Sequence, residues 1–130
     1  MTRRAAARRA AALGAVCAVA LGCAAEAQAQ LAAPAPARLQ VGAREFRFSL
    51  SRVKIKAGKV IIQLVNYGED DHDLRLKRVG GTILYHLKRT SPGHISELRT
   101  TLRKGTFNLW CSLPEHKAKG MRATLRVVKP

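Results

Sequence analysis

Residues 104–121 read K-G-T-F-N-L-W-C-S-L-P-E-H-K-A-K-G-M. From Thr106 to Cys111 the side chains alternate, with Phe107, Leu109 and Cys111 on one parity and Thr106, Asn108 and Trp110 on the other. Successive side chains of a strand point to opposite faces, so an apolar parity marks the face turned toward a core. Cys111 therefore points inward at the end of its strand. A second alternation opens at Met121, where Ala123, Leu125 and Val127 interleave with Arg122, Thr124 and Arg126. The loop between begins and ends on strands, which draws its ends together, with Pro114 and Gly120 shaping the bends. His116 and Met121 follow Cys111 at intervals of five, so the loop can wrap one small object.

Upstream, period two recurs. Phe46, Phe48 and Leu50 alternate with polar residues, as do Val53 with Ile55, His72 with Leu74 and Leu76, and Leu98 with Thr100 and Leu102. Val60 to Asn66 is the most apolar segment and is expected inside a sheet. Ile83 to Arg89 suits either one helical turn or a strand. Seven strand-like segments separated by turn signals predict an all-β domain, an antiparallel sandwich or barrel. His72 shares a face with Leu74 and Leu76, so it also points inward from a strand end.

The chemistry of the four residues is coherent. A thiolate, two imidazoles and a thioether are soft or borderline donors, suited to copper and not to calcium or magnesium. Two imidazoles and a thiolate near one plane, with a weak axial thioether, make the blue-copper arrangement. Zinc accepts the same thiolate and imidazoles but rarely needs methionine. Taken singly, Cys111 is an ordinary core cysteine, His116 a solvated loop residue and Met121 a packing residue. Their joint spacing is what points to a metal. Glu69, Asp70, Asp71 and Asp73 lack the ligand spacing of a calcium loop and read as a solvated acidic rim. His86, His94, Tyr67 and Tyr85 read as structural or surface residues, and Trp110, facing away from Cys111, as packing in a neighbouring layer.

On the runs N-Y-G-E-D-D-H-D-L at 66–74 and K-G-T-F-N-L-W-C-S-L-P-E-H-K-A-K-G-M at 104–121, the chain resembles the cupredoxins, the small blue copper proteins. The resemblance covers roughly Leu39 to Val128 and implies a Greek-key antiparallel β-sandwich. It implies one copper ion, with His72, Cys111 and His116 equatorial and Met121 axial, and one-electron transfer as the task. Three positions depart from the family pattern. Asp73 stands where many members carry Asn, Glu115 replaces a glycine before the ligand histidine, and Lys117 and Lys119 replace an apolar docking patch.

The amino terminus reads as an export signal. Arg3, Arg4, Arg8 and Arg9 precede an apolar run from Ala10 to Ala25, and Ala27-Gln28-Ala29 is a small-x-small cleavage pattern. The expected organisation is a signal peptide over 1–29, an Ala/Pro-rich linker over 30–38 and a cupredoxin-like domain over 39–130, located in the periplasm or another extracytoplasmic space. Thr2-Arg3-Arg4 fits a basic n-region better than a twin-arginine signal, and Leu21-Gly22-Cys23 is a poor acylation box. Loss of 1–29 leaves 20 Lys and Arg against 7 Asp and Glu, a net charge of +13, with Cys111 the one remaining cysteine.

A basic exported protein draws anionic partners. Nucleic acid is disfavoured by export, and the basic residues look scattered along the chain. The leading expectation is a monomeric one-electron carrier docking on an acidic face of a redox partner, with weak contact to anionic membrane surfaces. Two alternatives stay open: an envelope protein that delivers or sequesters copper, and a basic module that binds polyanions. An enzyme is not expected, because four protein ligands leave a mononuclear metal no open position and no paired carboxylates or nucleophile–base set occur.

Overall fold

The computed structural model describes residues 33–130. Nine strands form two sheets: β1 (Ala37–Arg44), β2 (Arg47–Leu50), β3 (Lys54–Lys56), β4 (Gly58–Asn66), β5 (His72–Arg78), β6 (Leu84–Thr90), β7 (Ile95–Leu102), β8 (Gly105–Trp110) and β9 (Arg122–Val128). One sheet has the order β2-β1-β4-β7 and the other β3-β9-β8-β5-β6. The all-β sandwich matches the expectation, with nine strands in place of seven. The signal read over 1–29 lies outside the described residues.

The two additional strands are instructive. β1 begins at Ala37, inside the segment read as linker, and pairs parallel with β4. Its Leu39, Val41 and Ala43 are buried on one parity, an alternation legible in the sequence but overshadowed by the Ala/Pro-rich stretch before it. The ambiguous Ile83–Arg89 segment is strand β6, whose Leu87 is buried while Ile83, just before it, is exposed. The expected antiparallel arrangement holds for most pairs, but β1 with β4 and β3 with β9 run parallel. Val53 was expected inward beside Ile55, yet it precedes β3 and is exposed.

The core lies between the sheets. Leu39, Ile62 and Leu64 from one sheet meet Leu74, Leu76, Phe107, Leu109 and Leu125 from the other, all essentially inaccessible to water. β4 is flanked by β1 and β7, which explains its continuous apolar run: both its edges are paired, and its outward Ile61 and Val65 are also buried. Cys111 and Met121 belong to this core cluster at its edge, where β8 ends and β9 begins.

Candidate metal centre

His72 opens β5, Cys111 follows the last residue of β8, and Met121 precedes β9. All three are fully buried, while His116 in the β8–β9 loop is partly exposed. The loop closes on itself through main-chain bonds. The Cys111 amide donates to the Met121 carbonyl (3.1 Å), the Met121 amide to the His116 carbonyl (3.0 Å) and the Lys119 amide to the Glu115 carbonyl (2.9 Å). Glu115 turns the chain with a left-handed φ of 64°, a conformation favouring the glycine that this sequence lacks there.

The loop brings His116 against His72. Their Nδ1 atoms stand 3.2 Å apart, and the Cys111 Sγ stands 3.6 Å from His116 Nδ1. One donor atom from each of the three residues falls within 4.8 Å of the others. Ligands around an ion with bonds of roughly 2.0–2.3 Å in a trigonal plane would be about 3.5–4 Å apart, so the three residues fit a single small cation. Met121 is buried at the same end, next to the loop that carries the other two.

A carboxylate that sequence reading passed over sets the orientation of His72. The His72 Nε2 donates to the Glu45 Oε1 at 3.0 Å, which leaves the Nδ1 lone pair facing His116 and Cys111. The same oxygen accepts the amides of Glu69 (2.9 Å) and Asp70 (2.8 Å). The Asp70 amide is the main reason the Glu45 carboxyl is lowered to about 2; desolvation opposes it, and the His72 ring and Glu69 amide reinforce it. A Cβ at Gly68 would collide with this carboxylate, so the glycine is what lets the two loops close. Asn66, fully buried, folds the loop internally: its Oδ1 accepts the Gly68 amide (2.9 Å), and its Nδ2 donates to the Asp70 and Thr90 carbonyls (both 2.8 Å). Glu45 lies about 27 residues before His72 in a β1–β2 turn with no motif of its own, so no local signal marks it.

Asp73 corrects the expectation of an acidic rim. Glu69 and Asp70 are exposed, but Asp73 is buried and holds Ser112 through both oxygens, accepting its amide at 2.6 Å and its hydroxyl. Arg75 Nε adds an ion pair at 3.3 Å. Burial acts most strongly on Asp73 and in the upward direction, but the Ser112 hydroxyl and amide outweigh it and hold the carboxyl below its ordinary range. Burial pushes the Cys111 thiol up. A thiolate there needs a neighbouring positive charge, as a bound cation would supply.

Trp110 also departs from expectation. Among the described residues no second layer covers it: it sits half-buried on the outer face of the five-stranded sheet, with the Lys117 ammonium 4.9 Å from its ring centre. The Lys119 ammonium lies 4.6 Å from the Phe46 ring, and Phe46 meets the His116 ring edge-on at 5.0 Å. His86 and His94 are exposed, as expected.

Solved structures share this fold at low sequence identity. Auracyanin A, described as a "blue" copper protein from Chloroflexus aurantiacus, matches 72% of this chain and 100% of its own at a TM-score of 0.59 and 17% identity. The fold is the cupredoxin fold. An amicyanin structure matches over 69% of this chain and 81% of its own, with a TM-score of 0.54 and 15% identity. A multicopper oxidase matches over 74% of this chain but 45% of its own, with a TM-score of 0.56 and 14% identity. No family model matches the sequence, and a search of curated proteins finds no match. The cupredoxin fold here delivers His72, Cys111 and His116 to one pole, and the donor set fits one copper ion.

Proposed function

We propose that this protein is a mononuclear type 1 copper protein that carries single electrons in the cell envelope. One observation carries the reading. The Nδ1 atoms of His72 and His116, 3.2 Å apart, and the Cys111 sulfur, 3.6 Å from the second, converge in a site closed to water on the core side. With the His72 Nε2 proton given to Glu45, the unshared pair of its Nδ1 faces His116 Nδ1 and the Cys111 sulfur, and a cation held between them would take one donor atom from each residue.

In this reading His72, Cys111 and His116 would hold the copper, with the Met121 thioether as the fourth donor. Copper supplies the one-electron couple. The chain contributes a frame that changes little: Glu45 fixes the His72 ring, the Asp73–Ser112 bonds fix the strand end behind Cys111, and the core fixes Cys111 and Met121. Such a frame suits a carrier, because little has to rearrange when charge arrives. His116, the partly exposed member, faces the way out. Among the described residues one cluster of this kind occurs, which suits a carrier better than an oxidase needing several metals. The envelope assignment rests on the export signal read over 1–29, and the partner is a redox protein with an acidic docking face.

The test is an absorption spectrum of the protein loaded with Cu(II), followed by mild reductant. An intense blue or green band that bleaches on reduction is expected. A folded, colourless protein in the presence of excess copper overturns the assignment.

A further inference from the structure

Six of the basic residues that look scattered in sequence are brought by period two onto one surface. Lys54 and Lys56 on β3, Arg122 and Arg126 on β9, Lys77 on β5 and Lys88 on β6 all lie on the outward parity of the five-stranded sheet. The exposed positions of these five strands hold no Asp or Glu; their single carboxylate, Asp73, is buried and committed to Ser112 and Arg75. An open cleft of about 840 Å³ runs along this face, from Lys117 beside the metal centre to the Val79–Gly81 turn. Asn108 and Trp110 of β8 line its middle, with Lys77 and Arg78 on one side and Arg122 and Lys117 on the other. Among the described residues none of these four cations is in an ion pair.

We infer that this cleft is a docking site for an acidic polypeptide segment of the partner protein. The inference deepens the electron-carrier reading, on which the redox identity of that partner rests. Four unpaired cations around a concave floor form a strongly positive surface, and their mutual repulsion is relieved only by anions. The floor decides between anionic partners. Trp110 is recessed, with an ammonium over its ring, so a flat bilayer would meet the rim cations and leave the floor unfilled. An extended chain bearing carboxylates reaches both the rim and the indole. Docked there, it lies one residue along the chain from Cys111.

Trp110 is the sole tryptophan and reports occupancy directly. An octaglutamate peptide is titrated into the whole protein, with and without copper, while indole fluorescence is read. Lys77→Glu with Arg122→Glu is expected to weaken binding roughly tenfold or more. Arg38→Glu with Lys59→Glu makes the same charge change on the outer face of the opposite sheet, where a long-range effect of about twofold at most is expected at 0.1 M salt. Equal weakening by both pairs in variants with wild-type circular dichroism overturns the inference, because net charge alone would then explain binding. So does tighter binding to phosphatidylglycerol vesicles than to the peptide with the same loss in the Lys77/Arg122 pair. The readout does not need copper: a colourless protein that still discriminates between the pairs loses only the copper reading, and a blue one that does not loses only this docking site.

Discussion

Asp73 binds Ser112 twice, taking its amide at 2.6 Å and its hydroxyl, and so ties the residue after His72 to the residue after Cys111. The two strand ends that bear these side chains are thereby clamped at one pole by a buried group. Asp73→Ala leaves the Ser112 amide without a partner, and a loss of roughly 2–3 kcal/mol in urea unfolding is expected. Asp73→Asn keeps an acceptor for that amide and should cost less than half as much. Equal losses in the two variants would mean that charge, not hydrogen bonding, holds the clamp.

Glu45 predicts an effect on metal affinity from outside the donor set. Glu45→Ala removes the acceptor for His72 Nε2 and for the Glu69 and Asp70 amides. Competition with a copper chelator should give an affinity lower by about 10–100-fold, the usual effect of removing such a support. Gly68→Ala, which pushes a methyl into the same carboxylate, should move affinity in the same direction. Unchanged affinity in Glu45→Ala would remove its role in orienting the ring.

Cys111→Ser tests the thiolate. With copper at a hundred times its dissociation constant, the wild-type protein gains about 2.7 kcal/mol of stability by mass action. In Cys111→Ser the visible band should vanish and most of that gain with it. Thermal unfolding with and without copper reads the second effect, and a variant that keeps its colour would sink the assignment of sulfur as a ligand.

Glu115 holds a left-handed φ of 64° and is exposed, with an ion pair to Lys119 at 3.2 Å. A β-carbon in that region is disfavoured by about 1–2 kcal/mol, part of which glycine gives back through its freer unfolded chain. The exposed ion pair adds little. Glu115→Gly should therefore raise the unfolding free energy by about 0.5 kcal/mol, whereas Glu115→Val should lower it. Urea midpoints of the copper-free variants decide.

The strand alternations at 72–76, 106–111 and 121–127 read correctly because each is local: one buried face demands one parity. The same rule marks Leu39, Val41 and Ala43, and β1 was obscured only by the composition of the segment before it. Asp73 was marked by the family resemblance only as a departure from asparagine, and composition placed it in a solvated rim. Glu45 and Asn66 were not legible as parts of the site. Their roles depend on partners that the fold, not the spacing, brings within reach.

Local patterning and donor chemistry were enough to specify an all-β chain and to single out His72, Cys111 and His116, which the fold brings together, with Met121 as the expected fourth donor, because both follow from short-range periodicity and from atom type. Folding added what spacing cannot encode. It set the parallel pairing of β1 with β4, the turn of the His72 ring toward His116 by a carboxylate far upstream, and the placing of six dispersed lysines and arginines on the outer face of one sheet. Each of these is a contact between segments distant in sequence, whose geometry exists only once the two sheets have closed on a common core.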